Sequence, residues 1–401
     1  MSAARRTFAW MAALSAATLL LGMIRELVIA RQLQATEGAD LFFRGVVVVN
    51  ATRSFTLALL RARWIPLPPG PSGAALARTG LASCSAVALA ATASLAIVIP
   101  RPAWWSIESL VFALCVVIAA YGGAVRALSE RHGHERLGVM VDWLPPLGTV
   151  VGTLWVAGSG GSLARGAIGG LAGGLLLAAL VLLPSALRRG SDDAPSSAVP
   201  KARAPGFALY LDTLVYVNLG LVDSMMSLYV LGDGDFALLS YGYFFVNAIL
   251  AVPTAGATIL ALRVGGVAGL AEVASLRRWA LLGGVVAGAG VVAMAGVLAW
   301  PPSAAIIDRA AGWQVADRID TLVLASAPFA ALRLANTIGR QLRVARDPGG
   351  LVSWDLVGLG LRAAALGGGA LLWGPVASPL ALALAEAVQL GAWWRWSPRA
   401  A

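Results

Sequence analysis

Residues 22–55 read GMIRELVIARQLQATEGADLFFRGVVVVNATRSF, a stretch that joins the end of one apolar run to the start of a second. A helix that crosses a bilayer needs roughly 20 mainly apolar residues. Residues 7–30 and 41–60 both meet this requirement, which predicts two membrane helices joined by a short turn. Because a charge at mid-bilayer costs roughly 2.5–3.5 kcal/mol, any charge here is expected to face water or another charge. The charged residues inside or beside the two runs are Arg25, Glu26, Asp40, Arg44 and Arg53.

The composition of the whole chain indicates an integral membrane protein. Of its 401 residues, 59% are apolar and 12% are charged, and the mean hydropathy is +0.79. A soluble domain is nearer about 45–50% apolar and about 25% charged, so most of this surface is expected to face lipid. The net charge of +10 is explained by basic loops on the cytoplasmic side of a membrane, and no nucleic-acid partner is expected.

The apolar runs along the chain predict an all-α membrane protein with about twelve transmembrane helices. Arginine is concentrated roughly four to one in alternate connecting segments, which predicts that both termini are cytoplasmic. After the first two, the spans are expected at residues 79–100, 105–125, 137–157, 164–187, 206–231, 237–262, 279–300, 320–340, 351–373 and 377–394.

A polar stretch at residues 189–205, rich in proline, serine and charge, is predicted to be a cytoplasmic linker. It divides an N-lobe, residues 1–188, from a C-lobe, residues 206–401, with six spans in each. The halves echo each other, since MVDWLPPLG from Met140 resembles SWDLVGLG from Ser353. Internal repeats are common in transporters, whose substrate site lies at the repeat interface. The sequence therefore predicts two pseudo-symmetric six-helix lobes around a central cavity.

Helical spacing predicts which charges share a face. Arg25 and Glu26 are adjacent in sequence and point about 100° apart, so no local ion pair is expected between them. Asp40 and Arg44 are four residues apart and lie on one face. The simplest interpretation is that these charges belong to a polar stripe lining the cavity.

The stripe extends further along the chain. Asn50 and Arg53 are three residues apart on the second span, and Asp212 and Asp223 are eleven apart on the seventh. Each pair shares one helix face. Both pairs are therefore expected to point toward the cavity.

A structural alternative exists for several of these charges. The first span could end at Ile24, which would leave the two charges after it at the outer interface. Asp40, Asp142 and Asp355 lie close enough to predicted span ends to cap helices or to snorkel. Spacing alone leaves both interpretations open.

Other patterns predict packing, and none of them predicts catalysis. In an apolar helix, G-x-x-x-G spacing indicates close helix packing. No metalloprotease, phosphate-loop or nucleophile-elbow pattern occurs in the sequence, so we expect neither an enzyme nor a cofactor or metal site. The glycines that give this spacing in the sixth span are Gly166, Gly169, Gly170, Gly173 and Gly174.

The opening stretch resembles the N-terminal signature of the MurJ/MviN family of lipid II flippases. That signature runs S-R-x-x-G-x-x-R-[DE], then a turn, D-A-F, and finally P-N-x-x-R. A second stretch, residues 218–245, resembles the start of the family's C-terminal half, with Asp223 on its acidic position. Leu19 and Phe244 stand where the family has arginines, and Arg44 is an extra charge that could substitute for one. The residues that match the first signature are Gly22, Arg25, Glu26, Asp40, Phe42, Phe43, Asn50 and Arg53.

The resemblance implies the multidrug/oligosaccharidyl-lipid/polysaccharide exporter fold in the bacterial inner membrane. It implies a polyprenyl-pyrophosphate-linked saccharide as substrate, either lipid II or an exopolysaccharide or O-antigen unit, moved outward by alternating access. Arg25 and Arg53 would bind the pyrophosphate, because guanidinium groups match phosphate oxygens, and Glu26 and Asp40 would orient them. The transport residues expected on this basis are Arg25, Glu26, Asp40, Arg44, Asn50 and Arg53, with Asp212 and Asp223 as the residues that would couple a cation.

Three alternatives to a flippase stay open at this point. A cation-coupled drug antiporter of the same fold would use acids such as Asp212 and Asp223. A membrane-embedded glycan enzyme would need a larger outer domain for acid–base chemistry than the predicted loop at 301–319 provides. A non-transporting scaffold in cell-envelope glycan synthesis would tolerate the missing arginines at Leu19 and Phe244.

Overall fold

The chain is helical throughout its described part. No β-strand occurs among the described residues, and the all-α prediction is confirmed for them. The predicted linker 189–205 and the acids Asp212 and Asp223 lie outside these residues. The structure, a computed structural model, describes residues 3–64, 73–99, 103, 105–132, 134–187, 230–264, 270–312, 316–346 and 348–395.

Long apolar runs form the helices of the N-terminal half, because a helix in lipid bonds its backbone polar groups within itself. Serine hydroxyls cap the N-termini of two of these helices. The Ser106 side chain accepts a hydrogen bond from Ser109 N in α4, and the Ser162 side chain accepts one from Arg165 N in α7. These helices are α1 (Ala3–Leu33), α2 (Glu37–Trp64), α3 (Gly73–Val98), α4 (Ile107–Arg131), α5 (Glu135–Met140), α6 (Leu144–Ser159) and α7 (Leu163–Ala186).

The C-terminal half continues the same pattern. A short 3-10 turn at Gly374–Val376 joins its last two helices. The helices are α8 (Asp235–Val264), α9 (Leu270–Ala299), α10 (Pro301–Ala311), α11 (Ala316–Ala325), α12 (Ala327–Arg346), α13 (Pro348–Trp373) and α14 (Ala377–Arg395).

By length and composition, six stretches of the described chain can cross a membrane, which supports a multi-pass membrane protein. The last of these stretches contains both α13 and α14. Helices α1 and α2, with 31 and 28 residues, cover the first two predicted spans. The full set of twelve spans stays a prediction. The six stretches are Gly80–Val98, Ile107–Arg131, Leu137–Ser159, Leu163–Ala186, Ser275–Ala299 and Ser353–Arg395.

The predicted span 137–157 is an interrupted helix. A 3-10 turn at Val141–Trp143 separates α5 from α6. Pro145 and Pro146 follow the turn, and neither has an N–H to bond the carbonyl four residues earlier. The missing bonds explain why the helix tightens here, and Asp142 lies on the tightened turn.

Two further predictions are corrected in the C-terminal half. The predicted span 320–340 is divided between α11 and α12, which meet at Ser326. The Ser326 hydroxyl donates to Leu322 O at 2.7 Å, a back-bond that often bends helices. The predicted loop 301–319 contains the helix α10, which has proline in its first turn and ends at Gly312, with φ of +78°.

The chain divides into two compact units. Unit 1 comprises Met1–Leu33 and Leu41–Met225, and unit 2 comprises Gln34–Asp40 and Met226–Ala401. The short segment around the turn between α1 and α2 therefore belongs to unit 2, although the helices on both sides of it belong to unit 1.

Glycines bring α6 and α7 together inside unit 1. A Cβ added to Gly170 would collide with Gly148 O, and one added to Gly166 would lie 2.5 Å from Gly152 O. These contacts run in opposite directions along the two helices, which are therefore antiparallel. The close-packing prediction is confirmed for Gly166 and Gly170, whereas a Cβ on Gly169 would have no neighbour within 4 Å among the described residues.

Helix α2 packs along α4 in the same direction. A Cβ on Gly45 would collide with the ring of Phe112, and one on Gly123 would lie 3.2 Å from Arg53 O. The two contacts fix the register of α2 against α4 next to Arg53. The core beside them contains Leu57, Leu60, Trp64, Cys84, Ala127, Leu128 and Ala186.

Small residues also allow helices of unit 2 to pack closely. A Cβ on Gly284 of α9 would lie 2.5 Å from Ala331 O of α12. Gly339, further along α12, lies against the indole ring of Trp393 in α14. Close packing through small residues is the expected way for helices to associate in lipid.

Candidate functional site

Arg25 and Glu26 form an ion pair on α1, so the sequence prediction that they cannot pair is wrong. Arg25 Nε donates to Glu26 Oε1 at 3.1 Å, and Nη2 makes a shorter contact with the same oxygen. Their Cβ atoms do diverge, but the long arginine side chain returns across the helix surface. Burial favours the pair because Glu26 is only 7% exposed, and an unpaired carboxylate there would be costly.

A second ionic cluster in unit 1 joins α2, α4 and the turn before α6. Arg53 Nη2 and Arg126 Nη1 each lie 2.5 Å from Asp142 Oδ1, so two guanidinium groups share one carboxylate oxygen. Arg126 Nε also donates to Glu130 Oε1 at 2.9 Å. We call these four residues, Arg53, Arg126, Glu130 and Asp142, the Asp142 cluster. Two cations and two anions give it a formal charge of zero.

Close backbone packing positions the arginines of the Asp142 cluster. Helix α4 approaches α2 at Gly123, beside Arg53 O, and Arg126 follows about one turn later on α4. Gly138 of α5 leaves room for the Arg126–Glu130 pair, since a Cβ there would lie 3.2 Å from Glu130 Oε1. The geometry of the cluster therefore depends on two glycines as well as on its charges.

The Asp142 cluster has a more open end and a more buried end. The side chains of Arg53 and Asp142 are 19% and 24% exposed. Those of Arg126 and Glu130 are 11% and 6% exposed. The Arg53–Asp142 pair therefore has the greater accessible surface within the cluster. For Asp142, the structure shows an ion pair at an interrupted helix in place of the capping or snorkelling alternative.

Arg25 and Arg53 belong to separate ionic centres in unit 1. Arg25 lies eight residues before the end of α1, and Arg53 lies sixteen residues after the start of α2. At roughly 1.5 Å per residue, these positions are about 12 Å and about 24 Å along their helices from the connecting turn. The two arginines bind different carboxylates, so unit 1 presents two candidate anion sites at different distances from the turn.

Asp40 is bound to the start of α8 within unit 2. Its carboxylate accepts hydrogen bonds from Gly234 N at 2.9 Å and from Ala237 N at 2.8 Å. Helix N-termini favour anions because their first N–H groups point outward and carry partial positive charge. Arg44, one turn along α2, is also buried, while Asn50 is exposed. The predicted role of Asp40 in orienting the arginines stays a prediction.

Unit 2 contains a buried polar network across α12, α13 and α14. Arg333 Nη1 lies 2.6 Å from Glu386 Oε1, and Asn336 Nδ2 donates to Glu386 Oε2 at 2.8 Å. Asn336 Nδ2 also donates to Gln389 Oε1 at 2.9 Å, and Gln389 Nε2 donates to Asp355 Oδ1. We call these five residues the Glu386 network. Glu386 and Asp355 are 2% and 1% exposed, so partners are needed to offset their burial.

Sequence reasoning missed Arg126 and Glu130 because it placed Arg126 in a cytoplasmic loop beyond residue 125. The helix continues to Arg131. An arginine and a glutamate four residues apart share a helix face, and this spacing was the available signal. In unit 2, Arg333 and Asn336 are three residues apart on α12, a spacing that also places two polar side chains on one helix face.

The fold is similar to that of known transport proteins. No family model matches the sequence, and no curated protein matches it. The structure is similar to that of a lipid II flippase MurJ in an inward closed conformation. The TM-score is 0.69 at 12% identity, over 96% of this chain and 86% of that one.

A second solved structure shares the fold. It is an inward-facing multidrug resistance MATE family transporter of the MOP superfamily, with a TM-score of 0.68 and 11% identity. The similarity covers 93% of this chain and 92% of that chain. The fold is therefore the one shared by these membrane transport proteins, and the resemblance seen in the opening stretch is confirmed at the level of the fold.

Proposed function

We propose that this chain is a flippase that carries a polyprenyl-pyrophosphate-linked saccharide from the cytoplasmic to the outer leaflet of a bacterial inner membrane. The observation that carries the proposal is the placement of Arg25 and Arg53 on consecutive helices of a fold similar to that of a lipid II flippase. Arginine keeps its charge when partly buried and binds phosphate oxygens with two parallel hydrogen bonds. Both arginines are paired with carboxylates, from which an anionic headgroup can displace them.

Transport would proceed by alternating access, with both termini in the cytoplasm. Arg25 and Arg53 lie at different distances from the α1–α2 turn, so the pyrophosphate would meet them at different depths in the membrane. A ligand drives a conformational change only as far as its affinity for the two states differs. The ion pairs of unit 1 would supply such a difference if each held its internal carboxylate in one state and the substrate in the other.

Depletion in the native host tests the proposal in cells. We expect lipid-linked saccharide to accumulate on the cytoplasmic leaflet, and its chemical identity would distinguish lipid II from an exopolysaccharide or O-antigen unit. Plasmid-borne Arg25→Ala and Arg53→Ala should fail to restore outer-leaflet exposure while inserting normally. Arg165→Ala, which removes a half-exposed arginine paired with Glu108, should complement. Unchanged outer-leaflet exposure after depletion would contradict the proposal.

A cation-coupled drug antiporter is the second candidate, and the Glu386 network favours it. Buried carboxylates in membrane helices are often proton or ion carriers, and Asp355 and Glu386 are buried in unit 2. An antiporter would export a cationic dye against a proton or sodium gradient, and the two acids would be needed for it. Dye export without lipid translocation would support this candidate over the flippase.

A further inference from the structure

We propose that Arg126 and Arg53 together form a pyrophosphate site and that Asp142 occupies this site as an internal anion between substrates. The inference rests on the proposed function and deepens it. It adds a second arginine to the site of Arg53, and it assigns Asp142 the part of a competitor that the substrate displaces.

Two cations that converge on one oxygen form an arrangement that a phosphate oxygen can take over. Arg53 Nη2 and Arg126 Nη1 both lie 2.5 Å from Asp142 Oδ1, so the two nitrogens are within about 5 Å of each other. Guanidinium groups make the same charge-assisted hydrogen bonds to phosphate as to carboxylate. A pyrophosphate carries more anionic oxygens than Asp142, so it can satisfy both arginines at once.

The position of Asp142 allows it to leave the arginines. It lies on the 3-10 turn at Val141–Trp143, where the backbone stays helical but tightens between α5 and α6. A 3-10 segment within a longer helix often marks a hinge. The Asp142 side chain is also the most exposed of the four in the cluster, at 24%. A change of the Asp142 side-chain rotamer would therefore open the site, while Val141 on the same turn stays packed against Ala178 and Leu182.

Arg126 keeps its orientation when Asp142 departs. Its Nε remains bound to Glu130 Oε1 at 2.9 Å, on the same helix. Gly138 provides the space that this pair occupies. Glu130 is thus a positioning residue, and the guanidinium of Arg126 is already aimed at the place where the substrate oxygen would lie.

The charges of the cluster make the exchange reversible. The cluster is neutral with Asp142 in place, and two arginines and Glu130 leave one net positive charge when it moves away. A resident anion lowers the apparent affinity for substrate by the fraction of time that it occupies the site. Asp142 would therefore weaken binding in the resting protein and promote release of the pyrophosphate at the end of a cycle.

Equilibrium binding to the full chain in detergent tests the site. The probes are geranylgeranyl pyrophosphate, inorganic pyrophosphate and geranylgeraniol, which lacks the phosphates. We expect Arg126→Ala, like Arg53→Ala, to weaken binding of the lipid pyrophosphate about tenfold or more, the loss expected for one charge-assisted contact. Asp142→Asn should tighten binding about tenfold, because the competitor has lost its charge.

The Glu108–Arg165 pair supplies matched controls. Its atoms Arg165 Nε and Glu108 Oε1 lie 2.7 Å apart, and it joins α7 to the start of α4, away from the cluster. Glu108→Gln and Arg165→Ala change the charge of unit 1 by the same amounts as the test variants. Both should bind the lipid within about twofold of the unchanged protein, because Glu108 lies eighteen residues before Arg126 on α4, about 27 Å along the helix, and the charge of Arg165, 55% exposed, is largely screened.

Every outcome decides the proposal. Asp142→Ala removes the same carboxylate and should tighten binding as Asp142→Asn does. Unchanged or weaker binding in both variants, or failure of both to fold, would assign Asp142 to stability and overturn the proposal. Arg126→Ala that binds as Arg165→Ala does would remove Arg126 from the site. Equal affinity for inorganic pyrophosphate and for the lipid would overturn the assignment to a lipid headgroup.

Binding in detergent does not require translocation, so this test is separate from the test of the flippase. A chain that shows the expected binding effects but moves no lipid would keep the anion site and lose the proposed function. A chain that moves lipid at a normal rate with Arg126→Ala would keep the function and lose this site.

Discussion

Charge pairing explains how single residues such as Arg53 and Glu386 persist in apolar helices. An unpaired charge in a membrane helix is costly, and a well-bonded partner removes much of the cost. Asp142 serves two arginines in unit 1, and Glu386 binds Arg333 and an amide in unit 2. The two clusters differ in exposure, since the carboxylates of unit 2 are almost fully buried. In unit 2 the carboxylates are enclosed, whereas the Arg333 side chain is 27% exposed.

Replacement of Glu386 tests whether the Glu386 network stabilises the protein. Glu386→Ala would leave the Arg333 guanidinium and an Asn336 N–H without their carboxylate. We expect a loss of about 1–3 kcal/mol, the cost of leaving the buried Asn336 N–H without this acceptor, since the Arg333 side chain is 27% exposed and can be solvated. The midpoint of thermal unfolding in detergent should fall clearly, and Glu386→Gln should fall less because its amide oxygen still accepts a bond.

Glu108→Gln is the matched control for this measurement. Its partner Arg165 has a side chain that is 55% exposed, and exposed ion pairs contribute about 0–1 kcal/mol. Its unfolding midpoint should stay close to that of the unchanged protein. If Glu386→Ala and Glu108→Gln unfold at the same temperature, the Glu386 network does not contribute measurably to the stability of the folded protein.

At the level of single residues, sequence reasoning found the types of charge but not their partners. Arg53 and Asp142 are 89 residues apart, and no spacing rule connects residues on different helices. The error at Arg25 and Glu26 has another cause, because the direction of a Cβ does not limit a side chain as long as arginine. Asp142 was recognised as an acid near a span end, but the turn that exposes it depends on the prolines that follow.

Among the elements, the contact between α6 and α7 depends on one face of glycines. We expect Gly170→Ala to destabilise the protein by about 1–3 kcal/mol, the cost of overpacking, because its Cβ would collide with Gly148 O. The adjacent Gly169→Ala should be neutral or slightly stabilising. A Cβ there has no neighbour within 4 Å among the described residues, and alanine favours a helix more than glycine does.

Thermal unfolding of the two alanine variants, measured side by side in detergent, checks this expectation. They differ by one residue in position and not at all in composition, so detergent and expression effects cancel. Equal unfolding midpoints would show that α6 and α7 do not depend on close approach at Gly170.

Helix positions could be predicted because membrane thickness sets a minimum length for an apolar run. The breaks could not all be predicted from the same rule. The turn at Val141–Trp143 follows from two prolines, which hydropathy ignores. The break at Ser326 depends on a hydroxyl that bonds within its own helix. Hydropathy also placed the end of the fourth span before Arg126, whereas α4 continues to Arg131.

For the whole molecule, the two similar sequence segments each contribute an aspartate to a polar cluster, one in each unit. Asp142 of MVDWLPPLG belongs to the Asp142 cluster, and Asp355 of SWDLVGLG belongs to the Glu386 network. Each set also contains an arginine from the preceding long helix, Arg126 of α4 or Arg333 of α12. The similar sequence segments therefore carry acids into comparable polar clusters, and Asp142 is the more exposed of the two acids.

The most direct test of the flippase proposal is translocation by the purified chain in liposomes. A fluorescent polyprenyl-pyrophosphate-linked saccharide is incorporated, and a membrane-impermeant quencher reports the fraction in the accessible leaflet over time. We predict that the chain speeds exchange between leaflets well beyond that of empty liposomes, and that Arg25→Ala and Arg53→Ala each lower the rate about tenfold or more. Arg165→Ala should retain the rate. Exchange no faster than in empty liposomes, or full rates in both arginine variants, would contradict the proposal.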